Sequence, residues 1–223
     1  MNPEFWQSRW QTGRIGFNQE APNPLLIKYF ETLRLSVGSR VFVPFCGKSV
    51  DMIWLAEQGF HVVGAELVEE AVLAFFQENK LDFTVTPHLY HSSIRFYRSK
   101  INKQSITIIT GDMFALTDKN LGEIDGVYDR AALIALPKDM REAYSSQIQA
   151  LTQNAPQLIL TLNYDQSAFE GPPFSVTPKQ ILDYYQHRYV IKKIFNAAST
   201  LNAAPELAVT EQAWLLCPKP EVE

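Results

Sequence analysis

An α/β fold built on a mostly parallel sheet is predicted by three features of the sequence. Val41 to Phe45 is a short apolar, β-rich run that breaks at Cys46-Gly47, after which Met52, Leu55 and Ala56 recur at helical spacing. Gly59 follows the last helical apolar residue and suits a left-handed cap, and Val62, Val63 and Ala65 then form a second strand that stops at Glu66. Downstream, apolar strands over 106–109, 124–128 and 158–162 and a helix over 138–151 repeat the alternation of strand and helix.

The first strand, turn and helix carry the most information. An acidic residue closing the second strand, about twenty residues past a glycine turn, stands where a nucleotide-binding α/β fold places a carboxylate to accept from ribose hydroxyls. Glu66 is that residue, and ordinary solvation of a strand end is the competing reading. Gly47-Lys48-Ser49 resembles the end of a phosphate-binding loop, but that motif needs glycine where Phe42 stands inside the strand. The dinucleotide fingerprint wants three glycines for approach to a pyrophosphate, and this turn has one, after Pro44-Phe45-Cys46. A cofactor with a ribose and no pyrophosphate fits better, and S-adenosylmethionine is the common one.

Composition bounds the rest. A chain of 223 residues, 46% hydrophobic and 20% charged, suffices for a single α/β domain, and a monomer is the expectation. A net charge of -4 offers no general attraction to nucleic acid or to an anionic membrane. No run has the length of a transmembrane helix, and the start, Met-Asn-Pro-Glu-Phe-Trp, lacks a secretory signal's basic and apolar regions, so a cytoplasmic protein is expected. Cys46 and Cys217, far apart and outside any Cys/His cluster, support neither a disulfide framework nor a metal site.

Taken in order, Phe5, Trp6, Arg9 and Trp10 fall on neighbouring helical positions before Gly13-Arg14-Ile15-Gly16-Phe17 breaks the helix. Two readings compete for this aromatic arm: packing on the domain edge, or a lid whose flat walls receive an adenine ring and a sulfonium cation. Asn23-Pro24 opens a helix through Leu33, and Ala71, Val72, Phe75 and Phe76 mark another with an ordinary core stripe. Thr84, Val85, Ile94, Phe96 and Tyr97 indicate short extended pieces, and Asn102-Lys103-Gln104 is either a hairpin or a solvated loop. Asp112, just past the strand at 106–109, either binds an adenine amino group with Met113 packed on the ring, or caps the following turn. Asp129 and Arg130 end the strand at 124–128 on the rim where open parallel sheets bind ligands. Arg130 can hold a carboxylate or an electron-rich acceptor, and Asp129 reads as structural. Gly171 to Val176 is a stiff loop that covers an acceptor pocket or caps the sheet. Thr177-Pro178 starts a helix, and 189–195 with 213–217 fit a closing antiparallel pair.

Several uncommon strings occur together: Phe5-Trp6 with Arg9-Trp10 and Gly16-Phe17; Val41-Phe42-Val43-Pro44 with Cys46 to Met52; Val63-Gly64 with Glu66; Asp129 to Pro137; and Pro172 to Val176. In this order, over nearly the whole chain, they resemble the thiopurine S-methyltransferase family in its bacterial form. The resemblance implies a class I methyltransferase: a Rossmann-like, seven-stranded, mostly parallel sheet with one antiparallel strand, helices on both faces and an N-terminal helical lid. A single domain is expected over 1–223, with lid and first helix in 1–36 and the α/β core in 37–223. It implies methyl transfer from S-adenosylmethionine, leaving S-adenosylhomocysteine, to the sulfur of aromatic and heterocyclic thiols, or alternatively to inorganic selenium or tellurium species. A cofactor-binding sensor without turnover is the reading from another class. Cofactor contacts are implied at Trp10, Phe45, Glu66 and Arg130, with further ones at Trp6, Phe17, Asp112 and Met113. Phe17 and Arg130 are implied to border the acceptor, with Arg130 steering it and no general base assigned. Phe45 replaces the family's usual Leu, and Asn18 stands where a histidine commonly follows Gly-Phe; both bear on acceptor preference.

Overall fold

The computed structural model describes residues 3–220, so the first two and last three positions of the expected single domain lie outside the described residues. The chain forms two compact units, Met1–Gly126 and Val127–Glu223.

In the first unit, α1 (Pro3–Gln11) is followed by α2 (Pro24–Tyr29), which Asn23 caps by accepting the Leu25 N–H at 2.9 Å. The helix expected to run through Leu33 tightens instead into a 3-10 turn over Phe30–Leu33 and stops at Arg34, whose φ is 55°. Strand β1 (Arg40–Pro44) leads to α3 (Asp51–Glu57), whose Met52, Leu55 and Ala56 are buried as their spacing requires. Gly59, at φ 93°, turns the chain into β2 (His61–Glu66). Then come α4 (Glu69–Glu78), with Phe75 and Phe76 in the core, β3 (Thr84–Pro87), β4 (Arg95–Ile101), β5 (Gln104–Thr110) and the short α5 (Asp118–Leu121). These strands lie in the order β3-β4-β5-β2-β1. β1 and β5 run parallel to β2, while β4 is antiparallel to both β5 and β3. Asn102, at φ 55°, makes the β4–β5 connection a hairpin.

In the second unit, β6 (Gly126–Arg130), α6 (Lys138–Leu151), β7 (Gln157–Asn163), α7 (Pro178–Tyr185), β8 (Tyr189–Leu201) and β9 (Ala204–Pro218) follow. Strand order is β6-β7-β9-β8, with β6 parallel to β7 and β9 antiparallel to both its neighbours. Thr177 and Gln180 form a capping box around Pro178, which starts α7 at the expected residue.

The strands exceed the implied seven by two. β5, β2 and β1 in one unit and β6, β7, β9 and β8 in the other supply seven, and within the second unit β9 is reversed against both its neighbours. The β3–β4 pair added to the edge of β5 supplies the remainder, and with it a second reversed strand. The closing pair, expected over 189–195 and 213–217, is longer: β8 and β9 continue through the residues between, joined at Asn202-Ala203, because backbone pairing is sustained past register shifts at Lys193/Phe195 and Ser199/Leu201.

Candidate active site

The site is built where β1 ends. Phe45 is held at φ 46° and Gly47 at φ 52°, so two of three consecutive residues are left-handed and the chain turns sharply beyond the strand. For a bulky residue such as Phe45 that conformation is strained and persists only when the surroundings enforce it. Here the Cys46 N–H donates to the Ala65 carbonyl at 3.0 Å, tying the turn to β2. Glu66 supplies the second tie: its Oε2 accepts the Gly47 N–H at 2.8 Å and its Oε1 the Val68 N–H at 2.9 Å. The carboxylate is 7% exposed. Burial pushes its pKa up, against the hydrogen bonds from the Val68, Gly47 and Leu67 amides.

Close approach is possible because side chains are missing in two places. Gly64 carries no Cβ where one would lie 2.7 Å from Cys46 Sγ and 3.2 Å from Met52 Sδ. Gly47 carries none where one would lie 3.3 Å from the Trp10 ring. The N-terminal arm thus rests against the turn. Trp6 and Trp10 each pack edge-on to Phe17 with centroids 5.9 Å apart, and Phe5 packs on Trp6 at 5.2 Å. Trp6, Trp10, Phe17, Gly47 and Glu66 form one connected group. Through the Gly111 N–H, which donates to the Glu66 carbonyl at 2.9 Å, the end of β5 joins it. There Asp112 accepts the Phe114 N–H at 3.0 Å, so the capping geometry is present, and Met113 is buried at 2% exposure. Lys48, which gave the turn its likeness to a phosphate loop, is instead paired with Glu78 at 2.6 Å. Cys46 is buried, and burial together with the Glu66 charge pushes its thiol pKa well up, so it stays protonated near neutral pH.

In the second unit, β6 ends at Asp129-Arg130. Asp129 is structural: Tyr144 donates its hydroxyl to Oδ2 at 2.6 Å and the Leu133 N–H donates to Oδ1 at 3.1 Å, within a burial that raises its pKa to about 6. Arg130 is half-buried and acts electrostatically on Glu211 of β9. The Gly171–Val176 loop is fastened to its surroundings by its main chain. The Phe174 N–H donates to the Ile134 carbonyl at 2.6 Å, and the Ser175 hydroxyl joins Tyr164 at both N–H and carbonyl. Beneath it lies Arg141, 1% exposed, donating to the carbonyls of Leu136 at 2.9 Å and Ser175 at 2.8 Å. Neither Arg141 nor Glu211 stands out in the sequence, because Ser175 and Arg130, a partner of each, are distant in the chain.

Among solved structures, the chain resembles an S-adenosylmethionine-dependent methyltransferase from Anabaena variabilis, with a TM-score of 0.62 and 12% identity over 96% of this chain and 94% of that one. It also resembles the Burkholderia thailandensis 1,6-didemethyltoxoflavin-N1-methyltransferase with bound 1,6-didemethyltoxoflavin and S-adenosylhomocysteine, with a TM-score of 0.60 and 17% identity over 96% and 86%. The fold is therefore that of the class I methyltransferases. The family model for thiopurine S-methyltransferase matches residues 1–215. The thiopurine S-methyltransferase of Psychrobacter cryohalolentis is 55% identical over 97% of this chain and 99% of its own length, and that of Gluconobacter oxydans 41% over 98% and 96%. The chain belongs to the thiopurine S-methyltransferase family and is an S-adenosylmethionine-dependent S-methyltransferase. Among the described residues no helix is long and apolar enough to cross a membrane.

Proposed function

We propose that this enzyme methylates the sulfur of thiopurines and other aromatic or heterocyclic thiols, holding S-adenosylmethionine in the turn after β1. The observation that carries the cofactor site is the buried Glu66 carboxylate bound on its inner side by Gly47 and Val68, with the Trp10 ring against the same turn. The carboxylate has acceptor capacity left for ribose hydroxyls, and donors there relieve a charge that burial disfavours. The glycine turn admits close approach, and the donor set contains no cation to demand a pyrophosphate. The group therefore fits.

When bound, S-adenosylmethionine supplies a methyl carbon already activated by its sulfonium charge. The protein's task is alignment, which contributes about 7–11 kcal/mol in favourable cases. Glu66 holds the ribose, with Phe45, Asp112 and Met113 as further contacts. Trp6, Trp10 and Phe17 wall the cofactor and exclude water. Arg130, at the carboxyl end of β6, favours the ionised acceptor sulfur, and Phe17 borders the acceptor ring.

Incubating the enzyme with methyl-labelled cofactor and a panel of thiols, selenols and inorganic selenium and tellurium species tests this reading. Label should appear on aromatic and heterocyclic thiols first. Label confined to the inorganic species, or S-adenosylhomocysteine binding with no methylated product from any thiol, would overturn it.

A further inference from the structure

The register of the second unit places a carboxylate on the same sheet face as the arginine assigned above to the acceptor, across β7 from it. Arg130 on β6 is paired with Leu160 on β7, and two residues on, Leu162 is paired with Glu211 on β9. Paired residues in a ladder share a face, as do residues two apart along a strand. Arg130, Leu160, Leu162 and Glu211 therefore line one face of the sheet at the carboxyl end of β7. Around Glu211 on that face lie Val209 and Ala213 on its own strand, Ala197, its partner on β8, and Ser199, the partner of Val209. Lys193 is on the opposite face, over the Trp214 ring at 5.6 Å. Arg130 is the charged group that acts on Glu211, which is itself half-buried.

We infer that Glu211 is a further catalytic residue, the carboxylate that takes the proton of a neutral acceptor thiol beside Arg130. The step balances in atoms and charge. The acceptor's S–H bond breaks, its electron pair stays on sulfur and the proton bonds to a Glu211 oxygen. Before the step the half-buried group holds arginine cation, carboxylate and neutral thiol; after it, arginine cation, carboxylic acid and thiolate. Net charge is unchanged, so no charge is created in poorly solvated surroundings. Burial raises the carboxyl pKa of Glu211 while Arg130 opposes the rise, which brings it toward the range of a heterocyclic thiol. The proton is passed to solvent after the methylated product leaves. This inference rests on the thiol-acceptor reading.

The test uses the full chain saturated with S-adenosylhomocysteine, and a heterocyclic thiol that is neutral in free solution at the assay pH and whose thiolate absorbs at a separate wavelength. Titrating it calorimetrically in two buffers of different ionisation enthalpy counts the protons released. Wild-type protein should show the thiolate band with no net proton release. In Glu211→Gln the band should vanish, or appear with one proton released per thiol bound. In turnover, Glu211→Gln should lose about 100-fold or more in kcat for a thiol that is neutral at the assay pH, and much less for one already ionised. A thiolate band kept in the variant with no proton released, or equal losses for both kinds of thiol, would reduce Glu211 to a structural residue. Failure of any thiol to bind wild-type protein would instead overturn the acceptor reading, and with it this one.

Discussion

Replacing Glu66 by Gln probes the cofactor cradle with the least steric change. Each carboxylate oxygen offers two acceptor positions. The main chain takes part of that capacity, Gly47 on Oε2, Val68 on Oε1 and the Leu67 amide as well, and what is left is proposed for ribose hydroxyls. In glutamine one oxygen becomes an NH2 group, so a ribose hydroxyl loses a charged acceptor. Hydrogen bonds to charged groups contribute about 1.5–3 kcal/mol, or about 10- to 150-fold in a dissociation constant. Calorimetric titration with S-adenosylhomocysteine should show a loss in that range. The same substitution turns a donor toward either the Gly47 or the Val68 N–H, which costs about 1–3 kcal/mol of folding stability. Part of that is offset, because burial already disfavours the Glu66 charge. Melting should therefore shift by only a few degrees, at about 2–4 °C per kcal/mol for a chain of this size. A lowered Tm with S-adenosylhomocysteine affinity within about twofold of wild type would mean that Glu66 only ties the turn to the second strand, and the cradle would have to be sought elsewhere.

Arg130→Ala should cut kcat/KM for thiols by about 100-fold while Tm moves little; unchanged transfer rates would remove Arg130 from the acceptor site. Gly47→Ala puts a Cβ at φ 52° and 3.3 Å from Trp10, so it should cost about 1 kcal/mol of stability and shift tryptophan fluorescence as the ring moves. A variant indistinguishable in melting and emission would show that the arm does not rest on the turn. Cys46→Ser should retain turnover, since the buried thiol stays protonated; abolished turnover with intact S-adenosylhomocysteine binding would point to a covalent role. Asp129 has a folded pKa raised to about 6, so its contribution to stability is full below its ordinary value of 3.8 and lost as pH rises through about 6. The loss is on the order of 3 kcal/mol. Urea unfolding at acid and neutral pH should show that slope in wild type and a flatter one in Asp129→Asn, and equal slopes would contradict the assignment.

Local patterns made most of the fold legible. Gly59, the Thr177-Pro178 helix start and the apolar runs at 106–109 and 158–162 each carry their signal in a few neighbouring residues, and each element formed there. What could not be read depends on partners far off in the chain. The helix from Pro24 tightens after Tyr29 into a 3-10 turn, which then stops at a left-handed Arg34 that no glycine marks. β8 and β9 extend through polar residues because ladder hydrogen bonds, rather than side-chain hydropathy, hold them together. At the site, Glu66 and the aromatic arm were visible from spacing. The left-handed Phe45 was not, since nothing in its composition favours φ 46°; it is enforced by the ties of the turn to Ala65 and Glu66. Arg141 had no local signature either, since its acceptor at the Ser175 carbonyl is distant in the chain.

Glu66 and Asp129 set the carboxylate proposed to bind the cofactor against one held by protein groups. Both lie at the carboxyl end of a strand, both are buried, and burial raises the pKa of both. Asp129 takes a tyrosine hydroxyl on one oxygen and a main-chain amide on the other, and Tyr144 is itself buried, so its surroundings are protein on every side that the structure describes. Glu66 takes only amides of the adjoining turns, from residues on its inner side, and the turn it supports lacks a side chain at Gly47. A carboxylate held in this way is rigid before a ligand arrives and gains hydrogen bonds when one does. Preorganisation of that kind lowers the ordering cost of binding. It also explains why a strained Phe45 is tolerated in the same turn: the ties that hold Glu66 in position are the ones that hold the backbone in the left-handed region.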